Sequence, residues 1–142
     1  KLWDISTRSL VKTLTGPTNS VLTVAFSRDG KMLASGSWDK AVILWDVATK
    51  QRIATLKGHT NAITGIAFAP DGKTLVSASQ DQTVKLWNMA TLREIATFRY
   101  TAPVGSVAFS PDGNTLAVGL SNNTIYLLKA ASMQQVNEYE TH

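Results

Sequence analysis

The stretch VAFSRDGKMLASGS, residues 24–37, decides the fold because it recurs twice more without a gap. It returns as IAFAPDGKTLVSAS at residues 66–79 and as VAFSPDGNTLAVGL at residues 107–120. Phe26, Phe68 and Phe109 stand 42 and 41 residues apart, and Trp3, Trp45, Trp87 and Leu128 keep the same period at 42, 42 and 41. A period of this length marks one supersecondary unit used repeatedly, each unit burying its apolar face against the next.

The second unit contains four strand-length segments: AITGIAFA, TLVSAS, TVKLWN and REIATFR. In the first of these Ile66 and Phe68 share one face and Gly65 and Ala67 the other, the alternation of a pleated strand. AVILW at residues 41–45 is apolar throughout, as expected of a strand covered on both faces. The pairs Asp29-Gly30, Asp71-Gly72 and Asp112-Gly113 supply the left-handed residue that a tight hairpin needs. Further hairpins are predicted at SWDKA, SQDQT and SNNTI, and again at WDIST, WDVAT and WNMAT. Four antiparallel strands repeated every 42 residues make the blades of a β-propeller, an all-β fold.

The predicted organisation is a half blade at residues 1–15, blades at 16–57 and 58–98, and a degenerate blade at 99–142 ending in a strand at QQVNEYETH. The chain begins at a third strand. Propellers need about four to eight blades to close. The expectation is therefore an incomplete propeller, one part of a larger ring or oligomer, whose missing blades come from the parent chain or from another copy.

Composition narrows the function classes. With 142 residues, 44% hydrophobic and 17% charged, the chain has the make-up of a soluble globular domain. No membrane role is expected, since no apolar run approaches the roughly 20 residues needed to span a bilayer. The absence of cysteine removes disulfides and thiolate catalysis and suits a reducing, cytoplasmic setting. A glycosylation acceptor pattern at Asn122-Asn123-Thr124 is too short to outweigh this. The formal charge of +4 and pI near 9.5 raise the question of nucleic acid, yet the fourteen basic residues are scattered. Residues 1–99 carry +6 and residues 100–142 carry −2, with no basic cluster interleaved with aromatics, so a nucleic-acid partner is not expected. With only His59 and His142, no histidine metal cluster is expected. Gly72-Lys73-Thr74 imitates the end of a phosphate-binding loop, but Ala67 stands where its leading glycine belongs. No metal, cofactor or catalytic residue is predicted.

The dipeptides Trp3-Asp4 and Trp45-Asp46, the variant Trp87-Asn88, and Gly58-His59 ahead of the next unit make the whole chain resemble the WD-repeat family. That resemblance implies a hydrogen-bonded structural network of His59, Ser77, Asp81 and Trp87, in place of the catalytic triad that serine, histidine and aspartate together would otherwise suggest. The first full repeat keeps Ser35, Asp39 and Trp45 but has Pro17 in the histidine place. The third has Tyr100, Val118, Asn122 and Leu128, losing all four, and is expected to be the softest blade.

Trp38 has no counterpart in the repeat, Gln80 and Ser121 occupying its place. In the resembled family this position faces the central channel, together with two positions at the start of each first strand. The resemblance thus implies a partner-binding face of Ser20, Leu22 and Trp38, then Ala62, Thr64 and Gln80, then Pro103, Gly105 and Ser121. Trp38 and Leu22 would form its apolar anchor. The expected function is a non-catalytic scaffold that binds a protein or peptide partner. The alternative is a sensor or regulatory propeller within a larger protein that carries an enzyme domain elsewhere.

Overall fold

A computed structural model describes residues 1–129; the strand expected at QQVNEYETH lies outside the described residues. Among them are thirteen strands and no helix, hence no helix long and apolar enough to cross a membrane. A hairpin of β1 (Leu2–Asp4) and β2 (Ser9–Lys12) is followed by a sheet of β3 (Val21–Phe26), β4 (Met32–Ser37), β5 (Val42–Asp46) and β6 (Arg52–Leu56). The next sheet holds β7 (Ile63–Phe68), β8 (Thr74–Ser79), β9 (Thr83–Asn88) and β10 (Arg93–Arg99), and the last holds β11 (Val104–Phe109), β12 (Thr115–Leu120) and β13 (Ile125–Lys129). Within each sheet the strands pair antiparallel in chain order. The three first strands β3, β7 and β11 lie side by side. These are propeller blades, and the sheets do not close into a ring.

Each blade spends its two faces on two neighbours. In the blade of β3–β6, Leu33, Ile43 and Trp45 pack toward the β1–β2 hairpin through Leu2 and Leu14. The alternate residues Ala34, Val42 and Leu44 pack toward the following blade, meeting Ile63, Ile66, Leu75 and Trp87. Val76, Val84 and Leu86 continue the pattern against Val104, Leu116 and Val118. This explains the wholly apolar third strand: Val42, Ile43, Leu44 and Trp45 are all buried because both faces are covered. Blade-to-blade approach is close enough to require Gly36, where a Cβ would stand 2.8 Å from Ile63 Cβ and 2.9 Å from Thr23 Cγ2.

The turns follow the chemistry of their residues. Gly30, Gly72 and Gly113 have φ of 72°, 72° and 74°, and the preceding Asp29 and Asp112 accept from the backbone two residues on and from Ser27 and Ser110. The Asp of the Trp-Asp dipeptide does related work in the third turn: Asp46 Oδ1 accepts from Thr49 N at 2.8 Å. Asn88 does so without charge, accepting from Ala90 N and Thr91 N. Among the described residues, the six non-glycine residues with positive φ fall at two repeating turn positions, Lys40, Gln82 and Asn123 in one set and Arg8, Lys50 and Leu92 in the other.

The β1–β2 hairpin is half a blade, so the first sheet is incompletely covered. Val21, Val24 and Phe26 are exposed and line, with Leu33 and Trp45, a groove of about 200 Å³ beside the hairpin.

Candidate functional site

Two groups of predicted residues converge, one inside the sheets of β3–β6 and β7–β10 and one at the end of each first strand. The internal group is complete in the blade of β7–β10. The indole of Trp87 only donates, and its Nε1–H donates to Ser77 Oγ at 2.9 Å. Ser77 in turn lies 2.7 Å from His59 Nε2, and His59 Nδ1 lies 2.8 Å from Asp81 Oδ2. With Ser77 accepting from the indole, its own hydroxyl donates to Nε2, which assigns the imidazole proton to Nδ1, facing Asp81. Asp81 also accepts from Thr60 N at 3.0 Å and from Thr83 N at 2.9 Å.

Thr83 belongs to this network and was not anticipated. Its Oγ1 donates to Asp81 Oδ1 at 2.5 Å and stands 3.1 Å from His59 Nδ1. The signal was present in the Asp-x-Thr spacing after a strand, a side-chain turn pattern in which the aspartate collects donors two residues on.

Electrostatics keep the pair ordered without making it an ion pair. Burial pushes the His59 pKa below its ordinary 6.5, only partly opposed by the hydrogen bond and charge of Asp81. Burial works the other way on Asp81, but the hydrogen bonds from Thr83, Thr60 and His59 outweigh it and hold the carboxyl below its usual range. The histidine is neutral at pH 7, and the contact is a charge-assisted hydrogen bond.

Although the distances match a serine–histidine–aspartate triad, Ser77 is 0% exposed and its oxygen already accepts the Trp87 indole N–H. A nucleophile needs an open approach to its oxygen, which Ser77 lacks. What the arrangement does is give every buried polar atom a partner. In the preceding blade the same positions hold a shorter version: Trp45 Nε1 donates to Ser35 Oγ at 3.0 Å, and Asp39 accepts from Thr18 N and Ala41 N. Pro17 stands in the histidine place and contributes nothing to it. Among the described residues no cluster of three or more His, Cys, Asp or Glu side chains is suited to a metal ion.

The second group gathers at one end of the three first strands. Trp38 N–H donates to Ser20 O at 3.0 Å, Gln80 N–H to Ala62 O at 3.0 Å, and Ser121 N–H to Pro103 O at 2.9 Å. Leu22, Thr64 and Gly105 fall at register shifts in the pairing of the first two strands of each blade. An extra residue at such a bulge redirects its side chain away from the regular alternation.

The nine predicted positions are therefore brought together, but they are not equivalent. Trp38 is 44% and Leu22 42% exposed, and Ser20, Gly105 and Ser121 are exposed as well. Thr64, Gln80 and Pro103 are half-buried, and Thr64 Oγ1 donates to Val104 O at 2.5 Å, tying the second blade to the third. Ala62 is a correction: its side chain is fully buried and presents nothing to a partner.

Comparison with known proteins agrees with this architecture. A 41-residue stretch is 44% identical to the periodic tryptophan protein 2 homolog of Schizosaccharomyces pombe, covering 29% of this chain and 5% of that protein. A 44-residue stretch is 41% identical to the guanine nucleotide-binding protein subunit beta of the same organism, covering 31% of this chain and 14% of that protein. Each match is about one repeat long and spans only a small part of the relative. Residues 1–142 match the family model described as the IFT122 first beta-propeller, and the chain belongs to this family of WD-repeat propellers.

Proposed function

We propose that this propeller segment is a non-catalytic scaffold whose end bearing Trp38 docks a segment of a partner protein. The observation that carries the reading is the exposure of Trp38 beside a second exposed apolar side chain, Leu22, at the end of a first strand. The fold does not require tryptophan there, since Gln80 and Ser121 fill the equivalent turns with the same backbone hydrogen bond. An exposed indole with one donor and a large apolar surface is the residue type most enriched in binding hot spots. Strand hydrogen bonds hold its backbone in place, so docking does not first have to order the loop.

The test compares the intact wild-type protein with Trp38→Ala against peptides selected on the wild type from a displayed random library. Stability is expected to change by no more than about 0.5 kcal/mol, as for other surface substitutions. Affinity is expected to fall by about thirtyfold, the loss of a typical hot-spot aromatic. A large drop in thermal stability with unchanged affinity would assign Trp38 to packing and overturn the reading.

A further inference from the structure

We infer that Asp71 is a site of spontaneous backbone modification: it closes on Gly72 to a succinimide and reopens to isoaspartate, faster than its counterparts in the two sister turns. An aspartate followed by glycine is the pair in which this chemistry is least hindered, because glycine brings no side chain to crowd the approach of its nitrogen. The chain has three such pairs, Asp29-Gly30, Asp71-Gly72 and Asp112-Gly113, each between the first and second strands of a blade. All three glycines lie at positive φ, and all three donate their N–H back across the turn, to Ser27 O, Ala69 O and Ser110 O at 2.9 Å. The attacking nitrogen is therefore restrained in the same way in each. The carboxylates differ.

In the first turn Asp29 Oδ1 accepts from Ser27 Oγ at 2.7 Å and from Lys31 N at 3.0 Å, and in the third Asp112 Oδ1 accepts from Ser110 Oγ at 2.6 Å and from Asn114 N at 2.9 Å. The same two hydroxyls accept from Met32 N and Thr115 N at 3.0 Å, so each clasps its carboxylate to the start of the second strand. Ala69 stands in the serine place of the second turn, and among the described residues Asp71 accepts from Lys73 N alone, at 2.9 Å. Cyclisation needs the neutral acid, whose hydroxyl can leave, and needs the carboxyl to swing toward the glycine nitrogen. A serine hydroxyl bonded to the carboxylate opposes both. Hydrogen bonds from Lys31 N and Ser27 hold the Asp29 carboxyl below its usual range, and those from Ser110 and Asn114 N do the same for Asp112. Opening the second turn breaks one hydrogen bond fewer, which makes it the readiest of the three to open locally. Gly113 is shielded further, since a Cβ there would stand 3.3 Å from Pro70 Cδ, whereas nothing lies within 4 Å of the same point on Gly72. In the reaction the bond from Gly72 N to Asp71 Cγ forms and the bond from Cγ to the carboxyl hydroxyl breaks; hydroxyl and amide proton leave as water. Water then adds back to one of the two ring carbonyls. At Cγ it restores aspartate, and at the main-chain carbon it routes the chain through Cβ and Cγ, adding a methylene to the turn that joins β7 to β8.

The experiment incubates the intact protein at neutral pH and physiological temperature and quantifies isoaspartate at each turn by peptide mapping with electron-transfer fragmentation. Isoaspartate at Asp71 is expected to accumulate about fivefold faster than at Asp29 or Asp112, the effect of one hydrogen bond of ordinary strength. Ala69→Ser restores the hydroxyl and should bring Asp71 down to the rate of Asp29. The substitution fits, because Ser27 and Ala69 are each 8% exposed in the same place of the repeat. Ser27→Ala is the second variant and should raise Asp29 to the rate of Asp71. In guanidinium chloride, with the fold gone, the three pairs should react at similar rates. Equal rates in the folded protein, a lead at Asp29 or Asp112, or no isoaspartate at Asp71 would overturn the inference. So would a lead of Asp71 that persists in the unfolded chain, or one that both variants leave unchanged, since either assigns the difference to something other than the missing hydroxyl.

Discussion

Replacing Ser77 by alanine should cost at least twice what the same change costs at Ser35, although both serines accept a buried tryptophan N–H at the same place in the repeat. Ser77 Oγ has two partners, Trp87 Nε1 at 2.9 Å and His59 Nε2 at 2.7 Å, and is 0% exposed. Its removal leaves a donor and an acceptor buried and unpaired. Each orphan costs about 1–3 kcal/mol, giving about 2–6 kcal/mol in all. Ser35 Oγ serves Trp45 Nε1 alone, at 3.0 Å, because proline replaces the histidine. Ser35 also lines the open groove beside the β1–β2 hairpin, so water can reach the freed indole. Its loss belongs at the low end of the range for one orphan, about 1 kcal/mol. The assay is urea unfolding of the two variants and the wild type, followed by far-UV dichroism, with midpoints compared at constant m-value. Equal losses, or a larger loss for Ser35→Ala, would refute the accounting by orphaned groups.

Other outcomes follow from the same geometry. His59 is held neutral in the folded state with its pKa below 6.5, so the unfolded chain binds the proton more readily; stability is full above pH 6.5 and declines as pH falls below it. An NMR titration of the His59 ring with a midpoint at or above 6.5 would contradict this. Gly36→Val places a side chain against Ile63 and Thr23 at the blade-to-blade contact, and should cost about 1–3 kcal/mol or more from overpacking, read as a lowered urea midpoint. Gln82→Gly should raise the melting temperature slightly. Gln82 sits at φ 71°, where a non-glycine residue is strained by roughly 1–2 kcal/mol, while glycine's added unfolded-state entropy takes back roughly 0.5–1 kcal/mol. A lower melting temperature would show a side-chain contact worth more than the strain.

The strands were legible because the repeat states each of them three times. TLVSAS, TVKLWN and REIATFR are β8, β9 and β10 to the residue, since turn residues with fixed conformations bound them on both sides. The surface was less legible. Alignment carries Ala62 onto the same strand end as Ser20 and Pro103, and the backbone does place it there. Whether the side chain then meets solvent depends on what packs over it in space, which periodicity along one chain does not report. Thr64 was hidden for the same reason: its partner, Val104 O, lies on the next blade, forty residues away. Trp38 was visible because the comparison is subtractive, a large side chain standing where two sister repeats manage with Gln80 and Ser121.

The third blade replaces most of the polar network with apolar contacts. Val118 replaces the serine and Leu128 the tryptophan, and Val118 is fully buried in an apolar cluster against which Leu128, Tyr100 and Phe98 pack. When donor and acceptor disappear together and apolar groups take the space, the result is close to neutral, whereas losing one partner leaves the other orphaned. The exchange is incomplete at a single atom. Tyr100, in the histidine place, packs its ring against that of Tyr126 in a tilted arrangement, centroids 5.2 Å apart and planes at 47°, and its buried hydroxyl has no hydrogen-bond partner among the described residues. Burial, with a smaller contribution from Tyr126, pushes its pKa up to about 12. Within the described part of this blade the exchange leaves one unpaired hydroxyl, worth about 1–3 kcal/mol. Removing that hydroxyl with Tyr100→Phe leaves the ring packing in place and should stabilise the protein, where a purely additive view of the network predicts no change.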